Sequence, residues 1–186
     1  TNLYMPSIMR DFPEFHYDEM KSRAENVLTS YLQSITKQNP ALLSEGTREL
    51  KEQLRLRLEM LQNQSQKESF ENIHIHRTEI HQYRKQRGRQ SIVLQTAVEY
   101  FHALKENGKV IRGSEEHKEQ AKYNVELVYI QDQDMIENQE DAGLGLNCPN
   151  CGAPLPGLGA KKCIYCDTPI VEYNLRVWNF SRVEEV

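Results

Sequence analysis

Two Cys-x-x-Cys pairs separated by eleven residues, Cys148 with Cys151 and Cys163 with Cys166, constrain this chain more than any other feature. They account for every cysteine in the sequence. A two-residue gap lets both thiolates of a pair point into one tight turn, and two facing turns supply the tetrahedral sulfur cage that zinc prefers. Turn-forming residues surround both pairs: Pro149 and Gly152 bracket the first, and Asp167 with Pro169 follow the second. Two disulfides are the alternative. Four cysteines in 186 residues do not make a disulfide-dense scaffold, however, and adjacent Cys-x-x-Cys pairs are awkward structural bridges. The expectation is therefore one Zn²⁺ ion on Cys148, Cys151, Cys163 and Cys166. Four protein ligands leave no open coordination position, so the ion is expected to be structural and not catalytic. Metal binding of this kind contributes about 10 kcal/mol or more, enough to order a loop with almost no core of its own. Thiolate ligation also points to a reducing, cytoplasmic compartment.

The rest of the chain must supply its own core. With 38% hydrophobic and 27% charged residues, there is material for one medium domain beside the small ribbon. A mean hydropathy of -0.72 predicts a soluble chain. No apolar run approaches the roughly 18 residues that span a bilayer. Because the chain opens on Thr1 and not on Met, it reads as a processed or excised piece that a membrane anchor can precede. Acidic residues outnumber basic ones, 27 against 23, and a four-thiolate site adds local negative charge. Nucleic acid is thus not an expected partner unless a local basic patch supplies the contact.

In chain order, residues 1–17 hold Pro6, Pro13 and the aromatics Phe12, Phe15 and Tyr17, and read as an extended arm that lays aromatic side chains on the body. Asp18 is expected to cap a first helix, along which Met20, Ala24, Val27, Leu28, Tyr31, Leu32 and Ile35 form one apolar stripe. That helix should stop before Asn39-Pro40. A second helix is expected over about residues 47–64, with Leu50, Leu54, Leu58 and Leu61 on one face. Leu56 and Met60 fall on the other side, where they either pack internally, the commoner outcome, or meet a partner. The period then changes to two. Ile73 and Ile75 alternate with His74 and His76 while Ile80 is out of phase, which predicts a bulge in a long bent strand ending near Arg84. A turn at Arg87-Gly88 leads to a strand over about residues 90–105. Both of its faces are largely apolar, so it should be central in the sheet. Asn107-Gly108 makes another turn, and after a polar stretch Ala121, Tyr123, Val125, Leu127 and Tyr129 predict a third strand. A last strand is expected over about residues 171–183.

Helices followed by long antiparallel strands predict an α+β fold: a cone of N-terminal helices against a bent antiparallel sheet, with the four-cysteine zinc ribbon inserted before the last strand. The divisions are an arm at 1–17, a body formed by 18–131 with 170–186, and a linker and ribbon insert at 132–169. Phe12-Pro13-Glu14-Phe15, the long first helix, Val125-Glu126-Leu127-Val128-Tyr129 leading toward the ribbon, and Val177-Trp178-Asn179-Phe180-Ser181-Arg182-Val183 together carry a resemblance. They are similar to bacterial relatives of the C-terminal domain of the mitochondrial import-motor adaptor, the forty-four-kilodalton subunit of the inner-membrane translocase. The resemblance implies a nuclear-transport-factor-two-like cone, protein binding through that cone, and membrane association. The ribbon departs from the mitochondrial member, so recruitment of a chaperone to a pore does not carry over.

Three further candidates arise. His74, His76 and His81 invite a second metal, but without a carboxylate at fixed spacing they read as exposed strand histidines. Arg84, Lys85, Arg87 and Arg89 crowd one hairpin tip. Such a tip is usually only solvated, but it suits an anionic membrane surface and, with Lys161 and Lys162, would suit nucleic acid. Some cones of the type the resemblance implies use a pocket for acid-base chemistry. An isomerase or hydrolase would need a buried carboxylate or histidine against a hydrogen-bond donor, and His102 with Tyr100, on the same face of the central strand as Ile92 and Leu94, are the candidates, with Glu99 facing the other way. With no triad order, phosphate loop or catalytic-zinc motif, the expectation is a non-enzymatic protein-binding or scaffold domain.

Overall fold

A computed structural model of the chain describes residues 2–86, 88–130, 151, 165–167 and 178–186. Among them are three α-helices, α1 (Met5–Asp11), α2 (Tyr17–Lys37) and α3 (Arg48–Asn63), and five strands, β1 (Gln66–Gln86), β2 (Arg89–Glu106), β3 (Lys109–Gly113), β4 (Glu119–Ile130) and β5 (Trp178–Glu185). The strands form one antiparallel sheet in the order β1-β2-β4-β5, with β3 folded back onto β2. The fold is α+β, as the switch from helical to two-residue periodicity predicts. No described helix is long and apolar enough to cross a membrane.

The helical stripes set which sheet face is covered. Ala24, Val27 and Leu28 of α2 and Leu50, Leu54 and Leu61 of α3 are buried in one cluster with Ile92, Leu94, Val98 and Tyr100 of β2. Val125 and Leu127 of β4 and Phe180 of β5 complete the wall. Strand β2 is central as expected, and Val93 and Ala103 on its other face are buried too. Strand β1 slips register at three places, including the one between Ile75 and Arg77 that puts Ile80 out of phase, and these bulges let so long a strand bend.

Helix boundaries follow local chemistry. Helix α3 begins where the Thr47 hydroxyl accepts the Leu50 N–H. Helix α2 ends at Gln38 in left-handed geometry, just before Asn39-Pro40. Its start corrects the sequence expectation: Asp18 is not the cap but lies in the first turn with Glu19, where both carboxylates favour the helix N-terminus. The N-terminal arm is not extended throughout either. Pro6 lies in the first turn of α1, where its missing N–H costs nothing, and a short helix results. The expected aromatic docking is present. The Phe12 ring lies 4.7 Å from Tyr129 and 4.8 Å from Trp178, and Phe15 lies 5.7 Å from Trp178. Strand β3, after the Asn107-Gly108 turn, was not apparent in the sequence because each of its residues is exposed.

Candidate functional site

At the end of the sheet beside α3, a groove of about 390 Å³ opens between helix and strands, lined by α2, α3, β1, β4 and β5. Apolar groups from Leu32, Ile35, Leu56, Met60 and Val183 share it with the rings of Tyr31, Phe70 and Tyr123. Leu56 and Met60, one helical turn apart, are 52% and 39% exposed on its rim. Of the two alternatives for this pair, exposure is the one found.

The charged groups beside the groove are organised around Glu68, whose side chain is 5% exposed. Its Oε1 accepts from Arg57 of α3, with Nε at 3.1 Å. Its Oε2 lies 2.7 Å from His102 Nε2. The other histidine nitrogen, Nδ1, lies 3.0 Å from Glu119 Oε1. The register explains the meeting: Phe70 pairs with His102 across β1 and β2, their rings stack at 4.8 Å, and Glu68 is two residues along the same face. Burial pushes the Glu68 pKa up, but the His102 and Arg57 contacts outweigh it and hold the carboxyl below its ordinary range. Burial pushes His102 down, and Glu68 with Glu119 outweighs that and holds it above its ordinary range. Both shifts favour the charged pair, in which an imidazolium donates to a carboxylate on each side of the ring. Nearby, the hydroxyls of Tyr100 and Tyr123 are 2.7 Å apart. Burial raises both of their pKa values, so both phenols stay protonated.

This arrangement bears directly on catalysis. A general base needs an unoccupied lone pair and a pKa near the working pH. Glu68 is shared by two cations, and His102 has both nitrogens engaged. The set can orient and hydrogen-bond a ligand, but proton transfer would first have to break an ion pair. His102 and Tyr100 do share the inner face, and Glu99 faces the other way, hydrogen-bonded by Gln120 at 2.9 Å. Sequence reasoning missed Glu68, Arg57 and Glu119 because three different elements bring them to His102. The one available signal was Glu68 falling in phase with Phe70 on an otherwise apolar face.

Cys148 and Cys163 lie outside the described residues; Cys151 is exposed and Cys166 half-buried. His74 and His76 are both exposed, their rings 4.8 Å apart and edge to face, and His81 is exposed further along β1. Among the described residues no three donors are grouped to hold a metal. In the basic turn, Lys85 Nζ lies 2.6 Å from Asp11, which also accepts from Tyr83 at 2.7 Å. Arg89 lies 3.3 Å from Glu126 and 3.6 Å from Glu49. Arg84 is exposed, while Arg87, Lys161 and Lys162 lie outside the described residues. No protein-family model matches the chain, and no curated protein does.

Proposed function

We propose that this chain is a non-enzymatic binding domain that offers the groove beside α3 to a partner protein. A zinc ribbon on Cys148, Cys151, Cys163 and Cys166 stiffens the connection between β4 and β5. The observation that carries the reading is the pairing of Glu68 with both Arg57 and His102. The groove's buried carboxylate is committed to Arg57 and His102, while Leu56 and Met60 on its rim are left to solvent. The donor set favours zinc on chemical grounds, since four thiols and no competing cysteine suit a closed structural site. The resemblance to the import-motor adaptor's C-terminal domain agrees with protein binding in a cone and with a place on the reducing side of a membrane. An anionic membrane contact through Arg84, Lys85, Arg87 and Arg89 has less support, because carboxylates of the same chain already hold Lys85 and Arg89.

A photo-reactive residue placed at Met60 tests the reading, with the same residue at Arg84 as the comparison. The expected result is a discrete crosslinked partner from position 60 that is lost when Leu56→Ser is added. Crosslinks from position 84 and none from position 60 would move the binding surface to the hairpin.

A further inference from the structure

Read along the chain, His74 and His76 share one side of a strand but have no carboxylate to go with them. Strand pairing supplies it. Both histidines are exposed on the face of β1 away from the helices, because the alternating Ile73 and Ile75 pack against the core. The register sets His74 opposite Glu99 of β2. The register shift between Ile75 and Arg77 then leaves His76 without a partner residue of its own, as a bulge does, and its Nε2 lies 3.6 Å from Glu99 Oε1. The two imidazole rings meet edge to face with centroids 4.8 Å apart. From the opposite side, Gln120 of β4 donates to Glu99 Oε2 at 2.9 Å, which holds one carboxylate oxygen and leaves the other toward the histidines. Among the described residues no lysine or arginine pairs with Glu99. These distances suit a shared cation better than a direct contact. An N–H···O hydrogen bond spans about 2.7 to 3.2 Å, shorter than the separation of His76 and Glu99. Two ligands about 2.1 Å from one tetrahedral ion lie about 3.4 Å apart, which is close to that separation. The three donors do not yet converge on one point. His74 is exposed, and turning its ring brings in the third.

We propose that His74, His76 and Glu99 form a binding site for one divalent transition-metal cation of the zinc type, with Gln120 orienting the carboxylate. Two imidazoles and a carboxylate suit zinc and its neighbours, whereas Ca²⁺ and Mg²⁺ take oxygen ligands. Three protein ligands leave a coordination position open to water or to a side chain of another molecule, unlike the closed four-thiolate site expected in the ribbon. With one ligand fewer and no burial, the site holds its ion more weakly than four thiolates do and fills only when the cation is added. The ion ties β1 to β2 between two bulges, at Glu71/His74 and Ile75/Arg77, where the backbone ladder is interrupted. The site lies on the opposite face of the sheet from the groove and does not depend on it.

Zinc titration of the intact protein, followed through the side-chain nitrogen resonances of its histidines, separates this site from the cysteines. His74 and His76 should shift together and saturate with one ion, while His81, exposed further along β1, should not move. Mg²⁺ and Ca²⁺ at the same concentration should shift neither. His74→Gln should remove the response of His76, and His76→Gln that of His74. Glu99→Gln and Gln120→Ala should each weaken binding by about tenfold or more. Glu79→Gln is the control for charge: it removes a carboxylate from the same strand, where it pairs with Arg77, and should have no effect. Backbone spectra recorded without zinc show whether each variant is folded, and they should match the parent protein. Separate titration of His74 and His76, an equal response at His81, no shift at either histidine, or full affinity in Glu99→Gln overturns the site and leaves the pair as surface histidines.

Discussion

His102 meets a carboxylate on each side of its ring, and each contact ties folding to a proton equilibrium. The pKa of His102 lies above its ordinary value of 6.5 in the folded chain, so its contribution is complete below pH 6.5 and fades as pH rises through the folded value. The pKa of Glu68 lies below its ordinary 4.5, so its contribution is complete above pH 4.5 and is lost as pH falls through the lower folded value. The two windows overlap between 4.5 and 6.5. His102→Asn should therefore cost about 2 kcal/mol in that overlap, typical of buried hydrogen bonds to charged groups. The cost should shrink at alkaline pH. Urea unfolding of both proteins across pH measures it, and a pH-independent difference would show that the ring acts by packing on Phe70 alone. Gly113 makes a second residue-scale case. Its φ is +76°, and a Cβ there would lie 2.0 Å from the His102 carbonyl oxygen. Gly113→Ala should destabilise by more than about 2 kcal/mol and disturb His102. Thermal melting with the chemical shifts of the imidazole checks both effects.

Among the described elements, β5 ends the sheet, and a helix hydrogen-bonds along its outer side. The Thr47 N–H donates to Phe180 O at 2.8 Å as α3 begins. Nearly two turns further on, the Gln53 side chain donates to Val183 O and accepts from Val183 N–H, while also donating to Tyr31. The start of α3 and Gln53 thus supply hydrogen bonds to the outer backbone groups of β5 at Phe180 and Val183. Gln53→Ala should leave both backbone groups of Val183 unpaired and cost about 1 to 3 kcal/mol. Faster amide exchange at Val183 would localise the loss, and unchanged exchange there would show that the edge is closed by other means. At the other end of the described sheet, β1 carries bulges along its length. Thr36 and Tyr17 reach the outer edge of β1 at Phe70 and Thr78.

For the molecule as a whole, the question is whether ribbon and body are separate folding units. Among the described residues a continuous core runs through α2, α3 and four strands. If the proposed zinc is bound, chelation should release one ion per chain while the body still melts cooperatively, and Cys163→Ser should behave like the chelated protein. Metal analysis with calorimetry decides it. Global unfolding on chelation would mean that the two share a core. Trp178, the single tryptophan, is packed by Phe12 and Phe15 and begins β5, so its emission reports the arm and the strand together. Phe12→Ala should shift that emission to the red without abolishing the body's transition.

Periodicity alone was enough to find α2, α3, β1, β2 and β4, because a helix stripe or a two-faced strand is written locally in apolar spacing. It also placed the breaks, since Asn39-Pro40 and Asn107-Gly108 act on their own backbone. The helical arm and β3 escaped notice: α1 spans seven residues, too few for a periodic stripe, and β3 is exposed and held by pairing with β2. The site was legible only in fragments. Tyr100 and His102 could be placed on one face of β2, but Glu68, Arg57 and Glu119 belong to three other segments. Only the register of the sheet and the seat of α3 on it decided that Glu68 would be paired. Burial and charge pairing depend on distance in space, and local spacing in the sequence does not encode that distance.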